Sequence, residues 1–277
     1  MRTILVPVDF SEHSAIALDA AALIAKKRNA ELVVLHMMGI SEAVISKNTA
    51  AEAAEAVYYM KLAAKRFAEF LDRPSLEGIR IKEVVQNHTV FSEVNKVAHE
   101  NSADLIVMGS HGSSGLSEAF VGSNTEKVVR TSDIPVLVIK QPLAENAFAR
   151  ALFACSFEED NVRPYLNALR FFGGFGSSLD LLYVNTPYNA FESSAETSEK
   201  IRKFFEKAGV PAPSDSRIHV WNDYSAEEGI FNFCREKNFN LIAIPTHGRK
   251  GLSHFFMGSI GEDVVNHAVR PVITFRI

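Results

Sequence analysis

The chain has 277 residues, 47% of them hydrophobic and 22% charged, with a formal net charge of -4. This is the composition of a globular protein large enough for two domains, each able to bury a core without disulfides or metals. The charge balance lacks the basic excess of a protein that lives on nucleic-acid phosphates, so nucleic acid is not an expected partner. No apolar run approaches the length of a membrane span, so no membrane partner is expected either. The two cysteines, Cys155 and Cys234, form no closely spaced pair. They are expected to be reduced, buried thiols rather than metal ligands.

The opening MRTILVPVDF runs straight into an apolar strand and lacks the longer apolar region of a signal peptide, so the expected location is cytoplasmic. In chain order, the first half alternates strand and helix. Residues 4–8 are a short apolar run of the kind buried on both faces of a parallel sheet. An Ala- and Leu-rich helix over 11–27 follows, with Ser11 or Ser14 as its N-cap and with Lys26, Lys27 and Arg28 at its negative end. A second strand covers 31–37. A long amphipathic helix over 51–71 places Val57, Met60, Ala64, Phe67 and Leu71 on one stripe. A third strand at 81–85 precedes a helix at 92–100 that turns Val94, Val97 and Ala98 inward. The fourth strand, 105–108, leads through a glycine-rich segment to a helix beginning near Asn124, and 136–140 is the fifth strand.

This βα alternation predicts a doubly wound parallel sheet with helices on both faces. Ligands in such sheets bind beyond the carboxyl ends of the strands, near the point where strand order reverses. Asp9, Met37 and Gly109 sit at strand ends of that kind.

The half repeats. HGSSGLSEAFVGSNTEKVV from His111 and HGRKGLSHFFMGSIGEDVV from His247 share Gly112, Gly115, Leu116, Gly122, Ser123 and further identities at one offset of 136 residues. The front ends align at an offset of 147, pairing TILVPVDF from Thr3 with RALFACSF from Arg150. The difference places a deletion of about eleven residues between the second and third strands of the second half. The polar segment 141–146, with Pro142, separates an expected domain at 1–141 from one at 147–277.

The chemistry is carried by IVMGSHGSSGLSEAFVGSNTEKVV, which runs from a strand into a helix. Its glycines permit positive φ and close approach of backbone N–H groups to a ligand. Gly122, Ser123 and Asn124 lie where the next helix begins, and orphan N–H groups with the helix dipole favour a phosphate there. No GK[ST] follows, so this is not a Walker A loop. The first strand ends in Asp9, whose carboxylate can accept hydrogen bonds from ribose hydroxyls or an adenine amino group, or can cap the helix that follows.

Gly109, Gly112, Gly122 and Ser123 fit the pattern G-x2-G-x9-G-[ST], and PVDFSEHSAIAL from Pro7 is a matching opening. On these residues the chain resembles the universal stress protein (UspA-like) family over nearly its whole length, as a tandem two-domain member. The resemblance implies two repeated, doubly wound α/β domains of the Rossmann-like, adenine nucleotide alpha hydrolase-like kind. It also implies a stress-response module that binds ATP, AMP or another adenine nucleotide, with or without Mg²⁺. By the same resemblance Asp9 would hold the ribose or base, and Met37 would lie by the adenine through its backbone. Met108 would sit against the nucleotide, and the loop through Ser123 and Asn124 would hold the phosphates. The last strand of each half would pair the two domains, and a further homodimer stays open.

The second half departs from the pattern, with Ser156 in the place of Asp9 and Pro245, which has no N–H, in the place of Gly109. A degenerate site is expected there. His111 and His247 recur in both loops without a companion nucleophile or metal ligand, which favours loop packing over catalysis. No catalytic residue is assigned. The alternatives are a slow ATPase, for which no general base or arginine finger stands out, and a ligand-free scaffold.

Overall fold

The computed structural model describes residues 1–37, 50–86, 92–110, 123–187, 191–246, 264–265 and 267–277. The chain divides into two compact units, Met1–Pro142 and Leu143–Ile277.

In the first unit the elements run β1 (Thr3–Val8), α1 (Glu12–Arg28), β2 (Glu31–Met37), α2 (Ala50–Leu71), β3 (Ile81–Gln86), α3 (Ser92–Glu100), β4 (Leu105–Gly109), α4 (Ser123–Thr131) and β5 (Val136–Ile139). Their strands lie in the order β3-β2-β1-β4-β5, all parallel. The apolar runs predicted for doubly covered strands are buried: Ile4, Leu5 and Val6 in β1, Leu32 to Leu35 in β2, and Leu105 to Val107 in β4 are inaccessible to solvent.

Helix α1 packs on β1, β2, β4 and β5. Its alanines at 15, 17, 20, 21, 22 and 25 are buried with Leu18 and Ile24. Small side chains on so much of its surface let the helix axis sit close to the sheet. Of the two expected N-caps, Ser11 is the one used, its hydroxyl accepting from the Ser14 amide at 3.2 Å, and the helix closes on Asn29 in the left-handed conformation. In α3, Val94, Val97 and Ala98 face the core as predicted.

The stripe of α2 differs from its prediction. Ala63, Phe67 and Phe70 are buried, whereas Met60 is 60% exposed and Ala64 is exposed. Val57 lies among residues whose side chains are not described. Phe67 belongs to both the predicted and the observed stripe. The helix turns about it because Phe70 joins Phe67 against Phe10, with ring centroids 5.3 and 5.2 Å away.

The second unit contains β6 (Arg150–Ala154), α5 (Val162–Gly173), β7 (Ser178–Asn185), α6 (Ser194–Ala208), β8 (Ile218–Asn222), α7 (Ala226–Lys237), β9 (Leu241–Thr246) and β10 (Val272–Arg276). Its strand order, β8-β7-β6-β9-β10, repeats that of the first unit, again in parallel. The shorter middle is visible in α6, which has 15 residues against 22 in α2. The repeat also reaches the backbone. Left-handed residues recur at the two sequence offsets: Phe10 (φ 63°) with Phe157 (58°), Asn29 (50°) with Gly176 (65°), and Ser102 (50°) with Asn238 (54°).

Candidate functional site

The order β3-β2-β1-β4-β5 means that the chain winds outward from β1 to β3, then crosses back to place β4 on the other side of β1. The crevice beyond the carboxyl ends of β1 and β4 is therefore the topological switch point, where α/β sheets bind ligands. Asp9 follows β1 directly and Gly109 ends β4.

Asp9 is half-buried, and its Oδ1 accepts the Ser11 amide at 3.0 Å. It thus braces the turn into α1, while the Ser11 hydroxyl caps the helix itself. A carboxylate has acceptor room for more than one donor, so this bracing is compatible with a ligand contact. The intervening Phe10 holds φ at 63°, a left-handed conformation that costs a non-glycine residue roughly 1–2 kcal/mol. Its ring is secured by His36 at 4.3 Å and by Phe67 and Phe70.

His36 was not singled out by sequence. It stands opposite Val8 in the β1–β2 register, and its Nδ1 lies 2.9 Å from Val8 O. A carbonyl only accepts, so Nδ1 carries the proton and donates. Burial lowers the His36 pKa, and the Arg66 guanidinium pushes the same way. The Val8 hydrogen bond and the Asp9 charge pull against them without prevailing, so the ring is neutral at pH 7. The available signal was the repeat itself: Phe10 and His36 match Phe157 and Tyr183 at the offset of 147, a pair of rings next to the residue that differs.

Gly109 has a packing reason of its own beside the one its motif suggests. It is not in the positive-φ region; a Cβ placed on it would lie 2.7 Å from His13 O and 2.9 Å from His13 C. The glycine admits the first turn of α1 against the end of β4. Beyond it Thr125 Oγ1 donates to Gly109 O at 2.9 Å, and the buried Ser110 amide donates to Ile139 O at 3.0 Å. The first bond ties the start of α4 to the crevice. Ser123 and Asn124 open that helix, Asn124 being exposed; the Ser123 side chain is not described. Met108 is buried in β4, and Met37 ends β2 half-buried beside Gln86. Asp9, Met37, Met108 and Gly109 thus lie at or beside the carboxyl ends of β1, β2 and β4, and Ser123 and Asn124 open α4. Gly112, Gly122, His111 and His247 lie outside the described residues. Among the described residues no cluster of His, Cys, Asp or Glu could hold a metal ion.

At the corresponding turn of the second unit the side chains bond to one another. The Ser156 amide and hydroxyl both lie within hydrogen-bonding distance of Asn161 Oδ1, at 3.0 and 3.2 Å, and Asn161 is fully buried. Lys200 bridges Glu158 at 2.9 Å and Glu192 at 2.5 Å, with its ammonium 5.3 Å from the centre of the Tyr183 ring. Burial alone would lower the Lys200 pKa, but the two carboxylates outweigh it and hold the ammonium above its ordinary value. Burial pushes the Tyr183 phenol up to about 12, against the pull of Lys200. Asn185 then clasps the Glu192 backbone from both sides, accepting from its amide and donating to its carbonyl at 3.0 Å each. Pro245 stands in the place of Gly109, and α5, the counterpart of α1, is entered through a 3-10 turn, Glu159–Asn161.

Crevice and topology together define a duplicated, doubly wound α/β protein with one switch-point site in each half, built differently in the two. The model of the universal stress protein family matches residues 1–140 and again 148–276, and the chain belongs to that family. Universal stress protein MJ0577 of Methanocaldococcus jannaschii is 31% identical over 154 residues, covering 50% of this chain and 95% of its own length. Universal stress protein YxiE of Bacillus subtilis is 32% identical over 145 residues, covering 49% and 97%. A universal stress protein structure from Archaeoglobus fulgidus matches 99% of this chain and 96% of its own at a TM-score of 0.70 and 21% identity, a likeness of fold.

Proposed function

We propose that the chain is a stress-response module that binds ATP or a related adenine nucleotide in its first half only. The observation that carries this reading is the placement of Asp9 and the start of α4 on either side of the switch point of the first sheet. An acceptor on one wall and helix N–H groups on the other suit a ligand with hydroxyls at one end and phosphates at the other. Asp9 would take the ribose or base, and Ser123, Asn124 and the segment before them the phosphates. Any Mg²⁺ would arrive on the phosphates. The second half acts as a non-binding companion, because Asn161, Lys200 and Glu192 already occupy the partners that a ligand would need.

The test is calorimetric titration of nucleotide-stripped protein with MgATP, and with AMP in parallel. Asp9→Asn keeps an acceptor for the Ser11 amide but removes the charge. It is expected to weaken binding about tenfold, the loss of one charge-assisted hydrogen bond. Wild-type protein that shows neither heat nor a shift in Tm with either nucleotide overturns the proposal.

A further inference from the structure

His36 holds the residues on both sides of Asp9. Its Nδ1 donates to the carbonyl of Val8, the residue before, at 2.9 Å, and its ring lies 4.3 Å from that of Phe10, the residue after. Phe10 is the left-handed residue of the turn, so the direction in which Asp9 leaves β1 depends on what restrains Val8 and Phe10. Among the described rings around Phe10 His36 lies closest, and it adds a polar anchor that Phe67 and Phe70 lack.

The second unit supplies the contrast. Phe157 keeps the left-handed φ of 58°, but Tyr183, the counterpart of His36, stands 6.3 Å from it. The Tyr183 ring has no nitrogen to donate to the carbonyl of Cys155, the counterpart of Val8, and its phenol is engaged by Glu192 instead. Where aspartate has given way to serine, the clasp around that residue is gone as well.

We infer that His36 is a positioning residue, which clamps the Val8–Phe10 turn and so aims the Asp9 carboxylate into the crevice. This rests on the proposed nucleotide site for its ligand readout, but the clamp itself is a property of the ligand-free protein. A clamp of this kind requires a donor at the Nδ1 position more than it requires a titratable ring. His36→Asn retains that donor and His36→Phe removes it while keeping a ring against Phe10.

The experiment is a double-mutant cycle with MgATP binding measured by calorimetry, alongside amide NMR of the ligand-free variants. His36→Phe is expected to weaken binding about tenfold, as when a group is left misaligned for a charge-assisted hydrogen bond. His36→Asn should stay within about threefold of wild type. In an Asp9→Asn background the effect of His36→Phe should shrink, because the acceptor left to aim has lost its charge. The Ser11 amide resonance, which reports its bond to Asp9, should move in His36→Phe and return in His36→Asn. Wild-type affinity in His36→Phe overturns the inference, and so does an equal loss in the Asp9→Asn background. If wild-type protein binds no nucleotide, the proposed function falls and the Ser11 resonance decides: unchanged in His36→Phe, it overturns the clamp; shifted and then restored by Asn, it supports it.

Discussion

A neutral imidazole held between a carbonyl and two phenyl rings has a consequence for stability. In the unfolded chain His36 titrates near 6.5, while burial makes the folded chain bind the proton only at lower pH. Between those values the unfolded state holds more protons, so stability falls as pH drops. The contribution is complete above 6.5 and declines as pH falls toward the lowered value. His36→Asn abolishes it. Unfolding free energies from urea titrations taken from about pH 7.5 down to about 5.5 should fall more steeply in wild type than in His36→Asn. Parallel slopes for the two proteins would show that the ring is as readily protonated folded as unfolded. None of this was legible at position 36, because a histidine in an apolar run reads only as one more strand residue. Asp9 was legible, since a carboxylate directly after a first strand stands out. The alternative to ligand contact was that Asp9 caps α1; the structure gives that cap to Ser11, and one Asp9 oxygen takes the Ser11 amide.

Helices and strands obeyed their patterns where a single chemical cause dominated. The buried runs of β1, β2 and β4 and the Ala-rich α1 follow from apolar composition alone. Helix α2 did not follow, because two stripes sharing Phe67 were both apolar and only the ring of Phe10, far away in sequence, chose between them. Gly109 shows the same limit at the loop. Its motif suggested a backbone freed for phosphate, but its described role is to let His13 approach β4. Gly109→Ala should therefore destabilise even the ligand-free protein, by about 1–3 kcal/mol, since the obstacle is helix backbone rather than a flexible side chain. Chemical denaturation without nucleotide measures this. A variant as stable as wild type but weak in binding would return Gly109 to a purely ligand-directed role.

At the scale of the whole chain the duplication was plain from identities at two fixed offsets, and the backbone repeats it down to three pairs of left-handed residues. What identities did not reveal is how the second half fills its crevice. Glu158, Glu192 and Lys200 are scattered in sequence and become neighbours only when β7 and α6 fold over the end of β6. Lys200 stands between two carboxylates, while Glu192 Oε2 is buried without a hydrogen-bond partner, and opening the network to a nucleotide would strand the ammonium and the buried end of Glu192. Binding there would have to replace that network as well as supply the missing carboxylate of Ser156. The expected stoichiometry is therefore one MgATP per chain, and Ser156→Asp should leave it at one because Lys200 would still bridge Glu158 and Glu192. Titration read for stoichiometry checks both statements. Two sites in wild-type protein would mean that the Lys200 bridge opens at little cost. Two sites appearing only in Ser156→Asp would mean that the carboxylate alone separates a live half from a silent one.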